Sequence, residues 1–126
     1  MALIFILLLF ALSLWSLIAL FRRLRRVHAG MRLWSSFAVL ILVGATVGFW
    51  CSFYCEYHAR EDSRIASFPI PIVFFRLEEG NWVDYPVPDY QVWPTAATNI
   101  LAITALATLP LWLLLWIQRD RKAAKA

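Results

Sequence analysis

Three apolar runs, residues 2–21, 33–55 and 96–117, occupy most of the chain, and none carries a charged side chain in its interior. About 20 apolar residues rising ~1.5 Å each span the ~30 Å hydrocarbon layer of a bilayer. The expected fold class is therefore an all-α membrane protein with three transmembrane helices. A content of 62% hydrophobic and 16% aromatic residues, with a mean hydropathy of +0.67, agrees. The runs leave segments 22–32, 56–95 and 118–126 outside the lipid. Only the middle one is long enough to hold structure, and it is too short to bury a core unaided, so the chain reads as one membrane domain.

Charge placement sets the expected topology. Arg22, Arg23, Arg25, Arg26 and Arg32 lie between the first two runs, and Arg119, Arg121, Lys122 and Lys125 follow the third. Positive flanks stay cytoplasmic, which puts the N-terminus and the 56–95 loop outside, in the periplasm if the membrane is a bacterial inner one. That loop holds seven of the eight acids, Glu56, Glu61, Asp62, Glu78, Glu79, Asp84 and Asp89, against three arginines, a net charge of −4. The first run lacks a basic leader and is longer than a signal-peptide core, so it is expected to be retained as an anchor. It is apolar on every face apart from Ser13 and Ser16. The arginines before the second run have a sufficient task in holding topology and anionic lipid headgroups, at about 1 kcal/mol per residue near the surface. No nucleic-acid role is needed for them.

The second run carries a stripe of small side chains. At ~100° per residue, Gly44, Gly48, Cys51, Ser52, Cys55 and His58 fall within roughly 120° of arc. Gly44 and Gly48 have the GxxxG spacing that lets two helix backbones approach closely. The third run opens with small residues, Ala97, Thr104 and Thr108 among them, and is the expected packing partner; its Pro110 should bend it. Asn99, the one amide in the runs, is expected to bond a neighbouring helix or interfacial water. The tail from Arg119 reads as disordered from its charge and alanine content.

The same stripe permits a metal-handling alternative. Cys51, Cys55 and His58 stand at i, i+4 and i+7, so that on one helix face two sulfurs and an imidazole could converge on copper or zinc. Over these eight residues the chain resembles the binuclear copper centre of cytochrome oxidase, whose cysteines are also four apart. It departs in the histidine spacing, in the absence of a nearby methionine and in placing the cysteines on a helix. The competing reading has both cysteines as small apolar packing residues. No metal or other cofactor of its own is expected for the chain.

The 56–95 loop is where recognition is expected. A run of β-branched and aromatic residues about 70–77, then Glu78-Glu79-Gly80-Asn81, then Trp82-Val83-Asp84-Tyr85 reads as a short β-hairpin with Gly80 supplying a left-handed turn residue. Two strands are marginal alone. Phe68, Ile72, Phe74, Phe75, Trp82, Tyr85, Tyr90 and Trp93 are more apolar surface than such a loop can hide, and an apolar patch rimmed by acids marks a contact site.

No phosphate loop, nucleophile triad or carboxylate pair in a span is present. A channel or transporter would have only Ser13, Ser16, Thr46, Ser52, Asn99, Thr104 and Thr108 to line a path. The expected function is that of a non-catalytic accessory subunit of a larger membrane complex, with a respiratory or photosynthetic host as the preferred class. Its expected partners are other transmembrane subunits and anionic lipids, with pigment contacts possible only through the host, and with no nucleic acid and no small-molecule substrate.

Overall fold

In a computed structural model of the protein, which describes residues 1–125, the chain runs α1 (Ala2–Arg26), α2 (Met31–Phe53), β1 (Glu56–Arg60), β2 (Ser63–Ala66), β3 (Val73–Glu78), β4 (Asn81–Pro86), α3 (Asp89–Ala107) and α4 (Leu109–Lys125). Three helical stretches, Ala2–Arg26, Met31–Phe53 and the α3–α4 pair over Asp89–Lys125, are long and apolar enough to cross a membrane.

The helices extend beyond the apolar runs at the basic ends. α1 continues through Arg23, Arg25 and Arg26, and α4 continues to Lys125. Arginine, lysine and alanine are strong helix formers, and cations in a last turn face the negative end of the helix dipole. The tail expected to be disordered is therefore helical as far as Lys125. α3 starts earlier than the apolar run, at Asp89, directly after Pro88 and with an acid in its first turn. Tyr90 and Trp93 thus belong to a helix rather than to the loop.

The bend expected from Pro110 falls two residues before it. Thr108 separates α3 from α4, and its amide is shared between the carbonyls of Thr104 and Ala105 at 3.2 Å each. The Thr108 hydroxyl donates to the Ala105 carbonyl at 2.8 Å. Pro110 has no N–H for the carbonyl of Leu106, and its ring crowds the preceding turn, which is where the helix is interrupted.

α3 is the central helix, with α2 on one side and α1 on another. The face that α1 buries carries Ile6, Ser13, Leu20 and Leu24 at heptad-like spacing. At the arginine end, Leu20 and Leu24 meet Leu111 and Leu115, with Leu33, Trp34 and Phe37 packed around them. Phe21 and Trp34 stand edge to face at 5.3 Å there, tying the α1–α2 turn.

The strands form one antiparallel sheet in the order β1-β2-β3-β4. The expected hairpin is its β3–β4 half. Glu78 pairs with Asn81, leaving the two-residue loop Glu79-Gly80, with φ of 50° and 84°. Positive φ at both positions is the geometry whose twist matches a right-handed strand pair. The other half, β1 with β2, corrects the expectation of a single hairpin: β2 pairs with β3 along its whole length, Ser63 with Arg76 through Ala66 with Val73.

Candidate functional site

Two regions of the molecule can meet other molecules: the sheet with its joint to the helices, and a basic groove at the opposite end of the bundle. The joint is built around Asn99 of α3, whose side chain is fully buried. Its Oδ1 accepts from the Ile70 amide at 2.9 Å, and its Nδ2 donates to the Ile70 carbonyl and the Ser67 hydroxyl, both at 2.8 Å. The amide side chain thereby binds the 67–70 loop between β2 and β3 rather than a neighbouring helix. The same loop reaches α2: the Phe68 amide donates to the Cys51 carbonyl at 3.2 Å and the Ser67 amide to the Cys55 carbonyl at 2.8 Å. Cys51 belongs to the last turn of α2, whose carbonyls have no partner within the helix, so the loop acts as its cap. Ser67 holds φ of 80°, a conformation uncommon for a residue with a Cβ, and two polar contacts hold it, its amide on the Cys55 carbonyl and its hydroxyl under the Asn99 amide.

The joint seats a sheet that is otherwise uncovered. No residue in any of the four strands is buried. Cross-strand register places His58, Arg64, Phe75 and Asp84 on one face and Tyr57, Ile65, Phe74 and Tyr85 on the other. On the first face the Arg64 guanidinium lies 4.5 Å over the Trp82 ring and its Nε donates to His58 Nε2 at 3.2 Å. On the second, the Tyr85 hydroxyl donates to Glu78 at 2.6 Å. That bond, followed by partial desolvation and the carboxylate's charge, raises the Tyr85 phenol above its ordinary value despite the opposing charge of Arg76.

Of the expected contact residues, Phe68, Phe74, Trp82, Tyr85, Tyr90 and Trp93 are exposed and Phe75 is half-buried. Tyr90 and Trp93 stand out furthest, at 70% and 73% exposure. Ile72 is the exception, at 7%. It is folded inward beside the Asn99 joint, its amide donating to the Ala66 carbonyl and its own carbonyl accepting from Val87, so its side chain presents nothing to a partner.

The small-residue stripe on α2 is consumed inside the molecule. A methyl group on Gly44 would come within 2.7 Å of the Thr104 Cα, and one on Gly48 within 2.8 Å of the Ile100 Cα. Ser52 is buried and donates to the Gly48 carbonyl, and Thr108 is buried at the helix break. Ala97 departs from the expected packing set, being exposed. It lies about 160° around α3 from Asn99 at 100° per residue, away from the face that the joint buries, and α2 ends near this level. Ala96 and Ala107, small residues of the same helix, are buried or in contact with Gly44, and Ile100 is the packing position the sequence did not single out.

The helical premise of the metal alternative does not hold. α2 ends at Phe53, so Cys55 lies beyond it and His58 sits in β1, where its Nε2 already accepts from Arg64. Among the described residues no group of three or more His, Cys, Asp and Glu side chains is placed to hold a metal ion. The two cysteines are unbridged.

The opposite end of the bundle holds an open groove of about 740 Å³ between the last turns of α1, the α1–α2 turn and α4. Arg22, Arg23 and Arg26 line one wall, Arg119 and Lys122 the other, and no carboxylate takes part. Of the arginines expected at lipid headgroups, Arg25 and Arg32 lie outside it. Trp112 forms part of the wall, with the Arg23 guanidinium 5.6 Å from its ring centroid. Its indole N–H is the one buried side-chain donor without a partner among the described residues. Such a group costs about 1–3 kcal/mol when left unsatisfied.

Compared with known protein families, curated proteins and solved structures, the chain matches none.

Proposed function

We propose that the protein is a non-catalytic accessory subunit of a larger membrane assembly, held in the bilayer by three spans and contacting its host through the sheet. The observation that carries this reading is a four-stranded sheet with no buried strand residue, seated on the helices by the Asn99 joint. A large apolar side chain gains about 1.5–3 kcal/mol when fully buried, and the sheet leaves part of that gain unrealised at Phe74, Trp82 and Tyr85, which are 37–47% exposed. A partner surface laid on either face would supply it, and the polar rim formed by Arg60, Glu78 and Asp84 would set its register.

The exposed Leu, Ile, Val and Phe side chains along α1 and α2 suit acyl chains. With basic residues at one end and acids in the sheet, the positive-inside rule favours an orientation with the sheet outside the cytoplasm. The filled seam between α2 and α3 favours anchoring over conduction.

Solubilisation in a mild detergent followed by mass spectrometry of co-purifying proteins tests the reading, with respiratory and photosynthetic complexes as the first hosts to look for. A reproducible set of membrane partners, lost when Phe74 and Trp82 are changed to serine while the bundle stays folded, is the expected result. Recovery of a lone monomer from native membranes would overturn it.

A further inference from the structure

The groove at the arginine end has two unlike halves. Arg22, Arg23, Arg26, Arg119 and Lys122 ring its mouth, whereas Trp15, Ile18 and Leu115 line it further along the helices. Trp15 precedes Arg26 by eleven positions on α1, about 16 Å at 1.5 Å per residue. The groove therefore runs from the basic end of the bundle into the zone of the apolar spans. Its volume of about 740 Å³ lies in the range of sites that enclose a small organic ligand.

We propose that this groove binds one anionic phospholipid, its phosphate held by the cations of α1 and α4 and its glycerol and first acyl carbons laid along Trp15, Ile18 and Leu115. Charge complementarity selects the headgroup: five permanent or near-permanent cations face one space without a lining carboxylate, and guanidinium groups match phosphate oxygens in pairs. The apolar half selects a lipid over a free anion, because inorganic phosphate gains nothing from indole and leucine walls. Basic pockets between transmembrane helices are a recurring way to hold such headgroups. This differs from a diffuse attraction between arginines and a charged leaflet, since it excludes Arg25 and Arg32 and recruits Arg119 and Lys122.

The inference rests on membrane residence but not on any protein partner, so recovery of the chain as a lone monomer would leave it intact. The test is native mass spectrometry of the full chain, stripped of lipid in detergent and titrated with phosphatidylglycerol, phosphatidylcholine or inorganic phosphate. One phosphatidylglycerol per chain should bind in preference to phosphatidylcholine, and phosphate should not displace it. Losing a surface cation weakens such binding about fivefold. Changing both Arg119 and Lys122 to Gln should therefore weaken it about 25-fold, and so should the pair Arg22→Gln and Arg26→Gln on the other wall. The pair Arg25→Gln and Arg32→Gln removes the same charge outside the groove and should weaken binding less than fivefold. Equal weakening by all three pairs, equal affinity for the two lipids, or displacement by phosphate alone would overturn the proposal. Circular dichroism of each variant shows that its helices are retained.

Discussion

The α2–α3 seam and the sheet are opposites in how they are held. In the seam, two glycines bring backbones so close that a single methyl group would meet a Cα at under 3 Å. In the sheet, strands pair through the backbone while every one of their residues is half-buried or exposed. Lipid is as apolar as leucine, so helices in a membrane gain little by burying large side chains against each other and associate through close contact instead. In water that driving force is available to a sheet, yet here no strand residue is buried by the rest of the chain. One end of the molecule is therefore closely packed within itself, and the other leaves its strand side chains unburied.

Substitutions that fill the seam should show the contrast most strongly. Gly48→Leu forces its side chain into the Ile100 backbone and should destabilise the bundle by about 3 kcal/mol, read as a lowered Tm of the solubilised protein by circular dichroism. A variant as stable as the parent would mean that α2 and α3 are not in contact.

Next is the joint between the two regions. Asn99→Ala leaves the Ile70 amide and carbonyl without partners and should cost about 1–3 kcal/mol. Hydrogen exchange at Ile70 should rise sharply while amides in the middle of α2 stay protected; uniform protection would show that the loop is seated by something else.

On the sheet itself, Trp82→Ser removes an exposed ring stacked by Arg64 and should cost only about 0.5–1 kcal/mol in the isolated protein. A much larger loss would place Trp82 in a core and contradict the open-sheet description. The smallest effect belongs to Tyr85. Its phenol is raised above 10.0 in the folded chain, so the stabilisation from its bond to Glu78 is fully present below that pH and fades as pH rises through the raised value. Tyr85→Phe should abolish this alkaline loosening of the β3–β4 hairpin, followed by exchange at Val83 and Phe75.

The spans and the β3–β4 hairpin were legible because each rests on a local signal: uninterrupted apolar length for the first, β-branched and aromatic residues on both sides of a turn with Gly80 for the second. Strands β1 and β2 were not: Glu56-Tyr57-His58-Ala59-Arg60 alternates but offers only Tyr57 and Ala59 as apolar residues, and Ser63-Arg64-Ile65-Ala66 does not alternate at all. They exist because β3 offers an edge to pair with. His58 was assigned to a helical stripe because nothing before it breaks a helix, whereas the loop that caps Cys51 ends α2 at Phe53. Asn99 was visible as an unusual residue in a span, but its partners lie 29 and 32 positions away on a segment without a readable structure of its own. Arg119 and Lys122 were hidden by the tail's composition, which marks a loose end as readily as a helix that continues out of a membrane.

Two of the three bonds made by Asn99 go to main-chain atoms of Ile70, which any amino acid except proline would offer equally. The fastening is thus blind to the identity of what it fastens. Strand side chains can be exchanged without loosening the mount, and a single amide on α3 lets the surface of the sheet diversify while the scaffold beneath it stays constant.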